Sequence, residues 1–164
     1  MNATNTVDLN RRHPLENRVP PPLVVVLIGT AMAVIAWSTP AVEITNPLRL
    51  GVGGVVIALG ALLVVQGART FWRNETTIDP VGLERASTLV TNGLFRLSRN
   101  PMYVGFAAML VGWAVCIASP WSLLGPVGFV LFTNRFQIIP EERVMRAKFG
   151  RAYDDYRAHV RRWV

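Results

Sequence analysis

Four apolar blocks divide the chain, Leu23 to Trp37, Leu48 to Phe71, Met102 to Ala118 and Trp121 to Phe136, and the charged residues gather between and after them. A membrane span needs about 20 predominantly apolar residues, so length alone does not settle the first and last blocks. Charge placement helps, because arginine and lysine mark cytoplasmic loops more reliably than hydropathy marks helix ends. The segment from Arg69 to Asn100 holds Arg69, Arg73, Arg85, Arg96 and Arg99, and the tail from Arg135 is richer still. The first connection offers mainly Glu43, with Arg49 at its edge, and the third offers only Ser119 and Pro120. The pattern predicts an all-α integral membrane protein with four spans, near 23–38, 48–71, 101–118 and 121–137, and with both termini and the middle loop cytoplasmic. The last two spans form a tight hairpin. A single domain, 23–164, follows an N-terminal tail, 1–22.

Local signals place helix ends. Pro101 suits the first position of a helix, where its missing N–H costs nothing, and Asn100 suits the cap before it. Met102, Tyr103 and Phe106 then fall on adjoining parts of the first turns. In the tail, Pro140 is expected to open a helix whose first turn carries Glu141 and Glu142, where carboxylates complement the positive end of the helix dipole. Gly150 is expected to stop it. Beyond, Tyr153, Tyr156 and Val160 share a face at helical spacing, which predicts a short amphipathic helix on the membrane surface or folded back over the spans. Glycines punctuate the spans at 29, 51, 53, 54, 60, 67, 105, 112, 125 and 128, and small residues let helices approach closely where lipid supplies no hydrophobic drive.

Composition agrees. Of 164 residues 51% are hydrophobic and 16% charged, and the mean hydropathy is +0.33, values that favour a membrane domain over a soluble one. The formal charge of +7 points to anionic lipid headgroups. Nucleic acid is a poor fit, since Glu141, Glu142, Asp154 and Asp155 interrupt the basic tail. Cys116 is the sole cysteine and excludes an intrachain disulfide, while His13 and His159 lie in opposite tails, so no metal site is expected. The first apolar run begins only after "RVPPP", unlike a cleaved secretory signal, and is expected to stay in the mature protein. The run "GVGGVV" at Gly51 to Val56 lacks the last glycine and the preceding strand of a dinucleotide loop.

The segments "GLFRLSRNPMYVGF", the uncharged hairpin and "PEERVMRAKFGRAYDDYRAHV" follow one another in that order. Together, over Gly93 to Trp163, they resemble the integral membrane methyltransferases that include isoprenylcysteine carboxyl methyltransferase and the phospholipid methyltransferases. That family has an Arg-His-Pro-x-Tyr-x-Gly start to a helix, paired glutamates and an F-G-x-x-Y-x-x-Y tail. Arg99, Pro101, Tyr103, Gly105, Glu141, Glu142, Phe149, Gly150, Tyr153 and Tyr156 match, and Asn100 replaces the histidine. The resemblance implies S-adenosylmethionine bound between the last two spans and the tail, helices of about 140–160 included, with a lipophilic substrate entering from the bilayer. The expected cofactor-binding residues are Arg99, Asn100, Pro101, Tyr103, Gly105, Glu141, Glu142, Phe149 and Tyr153; the expected catalytic residues are Arg135 and Glu142. Such a donor needs cationic, anionic and aromatic walls, and methyl transfer rewards alignment over acid-base machinery. Two rivals belong to other classes. One is a non-catalytic membrane module whose basic tail docks lipid or a protein. The other is a sterol-type reductase, which would need a nicotinamide pocket and a longer chain with more spans.

Overall fold

The computed structural model describes residues 16, 18–40, 42–43, 45–73 and 88–164. His13, Arg85, most of the N-terminal tail and much of the middle loop lie outside the described residues. Those described are helical, with no strand among them: α1 (Pro21–Trp37), α2 (Asn46–Arg73), α3 (Pro101–Ile117), α4 (Leu124–Thr133), α5 (Ile139–Phe149) and α6 (Arg151–His159). Two helical rods, Asn46–Arg73 and Pro120–Phe149, are long and apolar enough to cross a membrane. The apolar helices α1 and α3 have 17 residues each, the lower limit for a full span at about 1.5 Å per residue.

The seam between α2 and α3 is built on glycine. Gly53, Gly60 and Gly67 recur every seven residues on α2, and Gly105 and Gly112 do so on α3. A Cβ at Gly60 would lie 2.6 Å from the Gly105 carbonyl oxygen, one at Gly105 2.5 Å from the Gly60 carbonyl oxygen, and one at Gly112 2.7 Å from that of Gly53. The backbones therefore touch, and dispersion over this close approach replaces the interdigitation of larger side chains. Gly125 in α4 makes room for Met32 in the same way. Gly51, Gly54 and Gly128 meet nothing within 4 Å among the described residues, so there these three, contrary to expectation, bring no helix closer. The buried core joins the remaining elements: Val24 and Met32 from α1, Tyr103, Leu110 and Ala114 from α3, Phe129 from α4 and Ile138.

The α3–α4 connection is as short as its sequence suggests. Ala118 ends α3 in the left-handed region at φ 54, and a 3-10 turn, Pro120–Leu123, leads into α4. The first connection ties this turn down: the Val42 N–H donates to the Ala118 carbonyl at 2.7 Å, and the Thr39 and Ser119 hydroxyls meet at 2.9 Å.

Pro140 does not open a separate helix. The rod runs on through a π turn, Asn134–Ile138, which carries α4 into α5 and in which the Ile139 N–H bonds back to the Asn134 carbonyl. Proline inside a helix lacks the N–H that would reach the fourth residue back, and its ring crowds that carbonyl. The wider i to i+5 spacing just ahead of Pro140 absorbs the misfit. Glu141 and Glu142 thus stand within a continuous rod rather than at a free helix start. Gly150, with φ 51, breaks the rod as expected, and α6 folds back.

Candidate functional site

At the foot of α3 the chain arrives through a 3-10 turn, Gly93–Arg96, and Pro101 takes the first helical position. Asn100 occupies the cap position, yet its side chain makes no capping bond. It donates instead, through Nδ2, to the Arg162 carbonyl at 2.9 Å. The Arg99 N–H donates to the Arg161 carbonyl at 2.9 Å, and the Ser98 hydroxyl reaches the Arg162 carbonyl at 3.4 Å. Beyond α6, therefore, the C-terminal residues form a strap clipped across Ser98 to Asn100. Its Trp163 packs against the core cluster that includes Tyr103.

Above the strap lies a compact set of charges. Glu142 Oε1 accepts from Arg99 Nη2 at 2.8 Å and from Arg162 Nε at 3.0 Å, and its Oε2 accepts from Arg162 Nη2 at 2.7 Å. The Arg99 and Glu142 side chains are only 9% and 12% exposed. Charge-assisted, two-pronged bonding of this kind is the strong form of the arginine–carboxylate contact. The remaining corner of Arg162, Nη1, donates to Asn134 Oδ1 in the π turn at 3.0 Å. Glu141 is handled differently: its Oε1 accepts the Tyr103 hydroxyl at 2.6 Å, and it has no ion pair among the described residues.

The aromatic residues of α6 line the adjoining side. The Tyr156 hydroxyl donates to the Phe95 carbonyl at 2.7 Å, and the Tyr153 and Tyr156 rings meet edge to face at 6.3 Å. Burial, reinforced by the Glu142 charge, pushes the Tyr153 phenol up to about 12, against the opposing pull of Arg99, Arg157 and Arg162. Burial raises Tyr156 as well. Both phenols are thus neutral hydrogen-bond donors at physiological pH. Three buried polar atoms, Arg49 Nε, Arg99 Nε and Gln137 Oε1, find no partner among the described residues.

The structure brings Arg99, Asn100, Tyr103, Glu141, Glu142 and Tyr153 together, with Pro101 buried at the first turn. It does not bring the other expected residues into the hydrogen-bonded cluster. Gly105 sits against Gly60 in the α2–α3 seam. Phe149 is the partly buried last residue of α5. Arg135 is 54% exposed, pairs with Glu16 at 3.4 Å and lies over the Phe136 ring at 5.4 Å. Its neighbour Asn134 faces Arg162, and successive helical positions point about 100° apart, which turns Arg135 away from Glu142.

Residues 48–152 match the sequence profile of the family described as phospholipid methyltransferase. The chain belongs to this phospholipid methyltransferase family. It is 34% identical over 112 residues to a probable protein-S-isoprenylcysteine O-methyltransferase of Oryza sativa subsp. indica, a match covering 66% of this chain and 57% of the relative. It is 32% identical over 111 residues to protein-S-isoprenylcysteine O-methyltransferase B of Arabidopsis thaliana, covering 66% of this chain and 55% of the relative. An uncharacterized protein of Haemophilus influenzae is 36% identical over 63 residues, 38% of this chain and 100% of that protein. The match thus spans little more than half the length of the two plant relatives. No solved structure matches.

Within the phospholipid methyltransferase match lie Arg99, Asn100, Tyr103, Asn134, Glu141 and Glu142; Arg162 and Trp163 lie beyond it. Asn134 and Arg162 are the residues of the hydrogen-bonded cluster that sequence reasoning passed over. Asn134 carried a usable signal, a polar amide inside an apolar run, and such residues become functional suspects when they face the bundle interior. Arg162 carried none of its own, one arginine among many in a basic tail.

Proposed function

We propose that this chain transfers a methyl group from S-adenosylmethionine to a lipophilic acceptor, isoprenylcysteine-carboxylate-like or lipid-like, at the cytoplasmic edge of a membrane that four helices span. Supporting this reading is one observation above the rest: the paired acids, Arg99 and Tyr103 converge where the apolar α3 meets the rod and α6. The residues present fit the donor. A buried guanidinium whose Nε has no partner among the described residues suits its carboxylate, and Glu141, free of any ion pair among those residues, suits a cation such as its ammonium or sulfonium. Tyr153 and Phe149 supply aromatic surface for the adenine. When bound, the donor supplies an electrophilic methyl on sulfonium, transferred by in-line displacement.

The chain's own part in the reaction is to align and to exclude water. Glu142, held by two arginines, fixes Arg99 relative to the start of α3, and Tyr103 fixes Glu141. Such fixed groups need no reorganisation as charge shifts. An anionic acceptor would lose its charge against the sulfonium on the way to the transition state, and a water-poor site favours that cancellation. Asn100 supplies its amide to the strap, a role that needs no charge, so replacement of the family histidine is compatible with an intact site.

The test is calorimetric titration of S-adenosylhomocysteine into the purified full chain in detergent, followed by incubation of membranes with methyl-labelled donor to identify the labelled product. Binding with a labelled lipophilic product is expected. Absence of any affinity would remove the methyltransferase reading and leave a docking module.

A further inference from the structure

We propose that Arg162, on the C-terminal strap, is a further binding residue for the donor's amino-acid end, supplying the second positive charge that makes the site a carboxylate receptor; this rests on the methyl-donor reading above.

The charge count on one carboxylate carries the argument. A lone Arg99–Glu142 pair would be neutral and would offer an incoming anion nothing but competition with Glu142. Arg162 adds a second guanidinium on the same carboxylate, at 3.0 and 2.7 Å, which leaves the trio one charge positive. Surplus charge alone is not a receptor. The second observation is Arg99 Nε, a donor on a side chain only 9% exposed that has no partner among the described residues. A buried donor left unmade costs free energy until an acceptor arrives, and a carboxylate satisfies both the donor and the surplus. Arg162 is also pre-ordered, since Asn134 holds its Nη1 and Asn100 holds its carbonyl, so little side-chain entropy remains to be lost on binding. Glu141, anchored on Tyr103, is left for the opposite charge. The arrangement, two arginines on one acid beside an acid without an arginine, complements a zwitterionic α-amino acid.

The strap's role is separable from a scaffold's by comparing two ligands that differ only in the carboxylate. S-adenosylmethionine and its decarboxylated form are titrated into the full chain in detergent. Wild type is expected to favour the carboxylated ligand by about 10- to 100-fold, the range of one hydrogen-bonded charge contact. Arg162→Gln should reduce that preference to a few-fold by weakening S-adenosylmethionine alone, and Arg162→Lys, which keeps the charge but not the fork, should retain an intermediate preference. Equal weakening of both ligands would make Arg162 a scaffold and overturn the proposal, as would a wild type with no preference or a preference unchanged by Arg162→Gln. If that variant does not fold, Asn134→Ala, which releases Nη1, carries the test, and an unchanged preference there is equally fatal. A wild type that binds neither ligand defeats the donor reading itself, a distinct result.

Discussion

Tyr103 and Gly105 stand two residues apart on α3 and face different worlds. Gly105 meets backbone, with the Gly60 carbonyl closer than any Cβ allows; Tyr103 meets a carboxylate across a 2.6 Å hydrogen bond. The seam with α2 is a contact of shape, carried by dispersion and intolerant of one added carbon. The foot of α3 is a contact of charge, held by partners that answer to salt, to pH and to a competing ligand. One helix thus presents a fixed wall on one side and a charged, hydrogen-bonded surface on the other, and damage to the two sides should read out differently.

The largest effect is expected from Glu142→Ala, which leaves Arg99 and Arg162 facing each other without a counter-charge. Breaking one partner out of a buried ionic cluster costs several kcal/mol, and because Arg162 is 34% exposed solvent screening should lower this to about 2–3 kcal/mol. Thermal unfolding in detergent should fall accordingly, with donor affinity lost. Gly60→Ala should cost about 1–3 kcal/mol by overpacking, with donor affinity in the surviving folded fraction unchanged; Gly54→Ala, facing open space, is the control and should shift stability by no more than about 0.5 kcal/mol. A smaller change is expected from Tyr103→Phe, which removes one hydrogen bond to Glu141 and should weaken donor binding by about tenfold while leaving the seam and the unfolding midpoint close to wild type.

The smallest effect concerns pH. The Tyr153 phenol titrates near 10.0 when unfolded and is pushed up to about 12 in the fold. A raised phenol pKa stabilises the fold fully below the unfolded value and loses that contribution as pH rises from about 10 through 12. Stability measured across that window should decline, and the decline should flatten in Tyr153→Phe. An unaltered slope would show that burial does not hold the Tyr153 phenol above its unfolded value.

Much of the seam was legible in the chain, because helices that pack backbone to backbone need small residues at regular spacing, and spacing is visible. Position alone, though, did not distinguish Gly60 from Gly54, since which face meets a neighbour depends on where α3 lies. Gly150 was equally plain, its helix break being a local property of one residue. The cluster was legible only in part. Glu141, Glu142, Arg99 and Tyr103 stood out through the order of their motifs, but Arg162 is defined by where the strap crosses α3, a long-range fact. Counting arginines as headgroup seekers hid it. Arg135 and Asn134 illustrate the same limit: the more charged of the two looked functional, and the helix turned the quieter one inward. Asn100 was placed correctly at the cap but not in its bonding, because a carbonyl 62 residues further on competes for its amide.

The π turn at Asn134–Ile138 has a consequence for the direction in which the far half of the rod faces. One surplus residue in a helix rotates everything beyond it by about 100°, so the angular phase between the apolar half of the rod and the half bearing the two acids is set by this single insertion. Excising it would leave both halves helical and well packed locally, yet would swing Glu142 away from the guanidinium groups it serves. Length at this point therefore matters to the site beside the identity of Asn134, which holds Arg162.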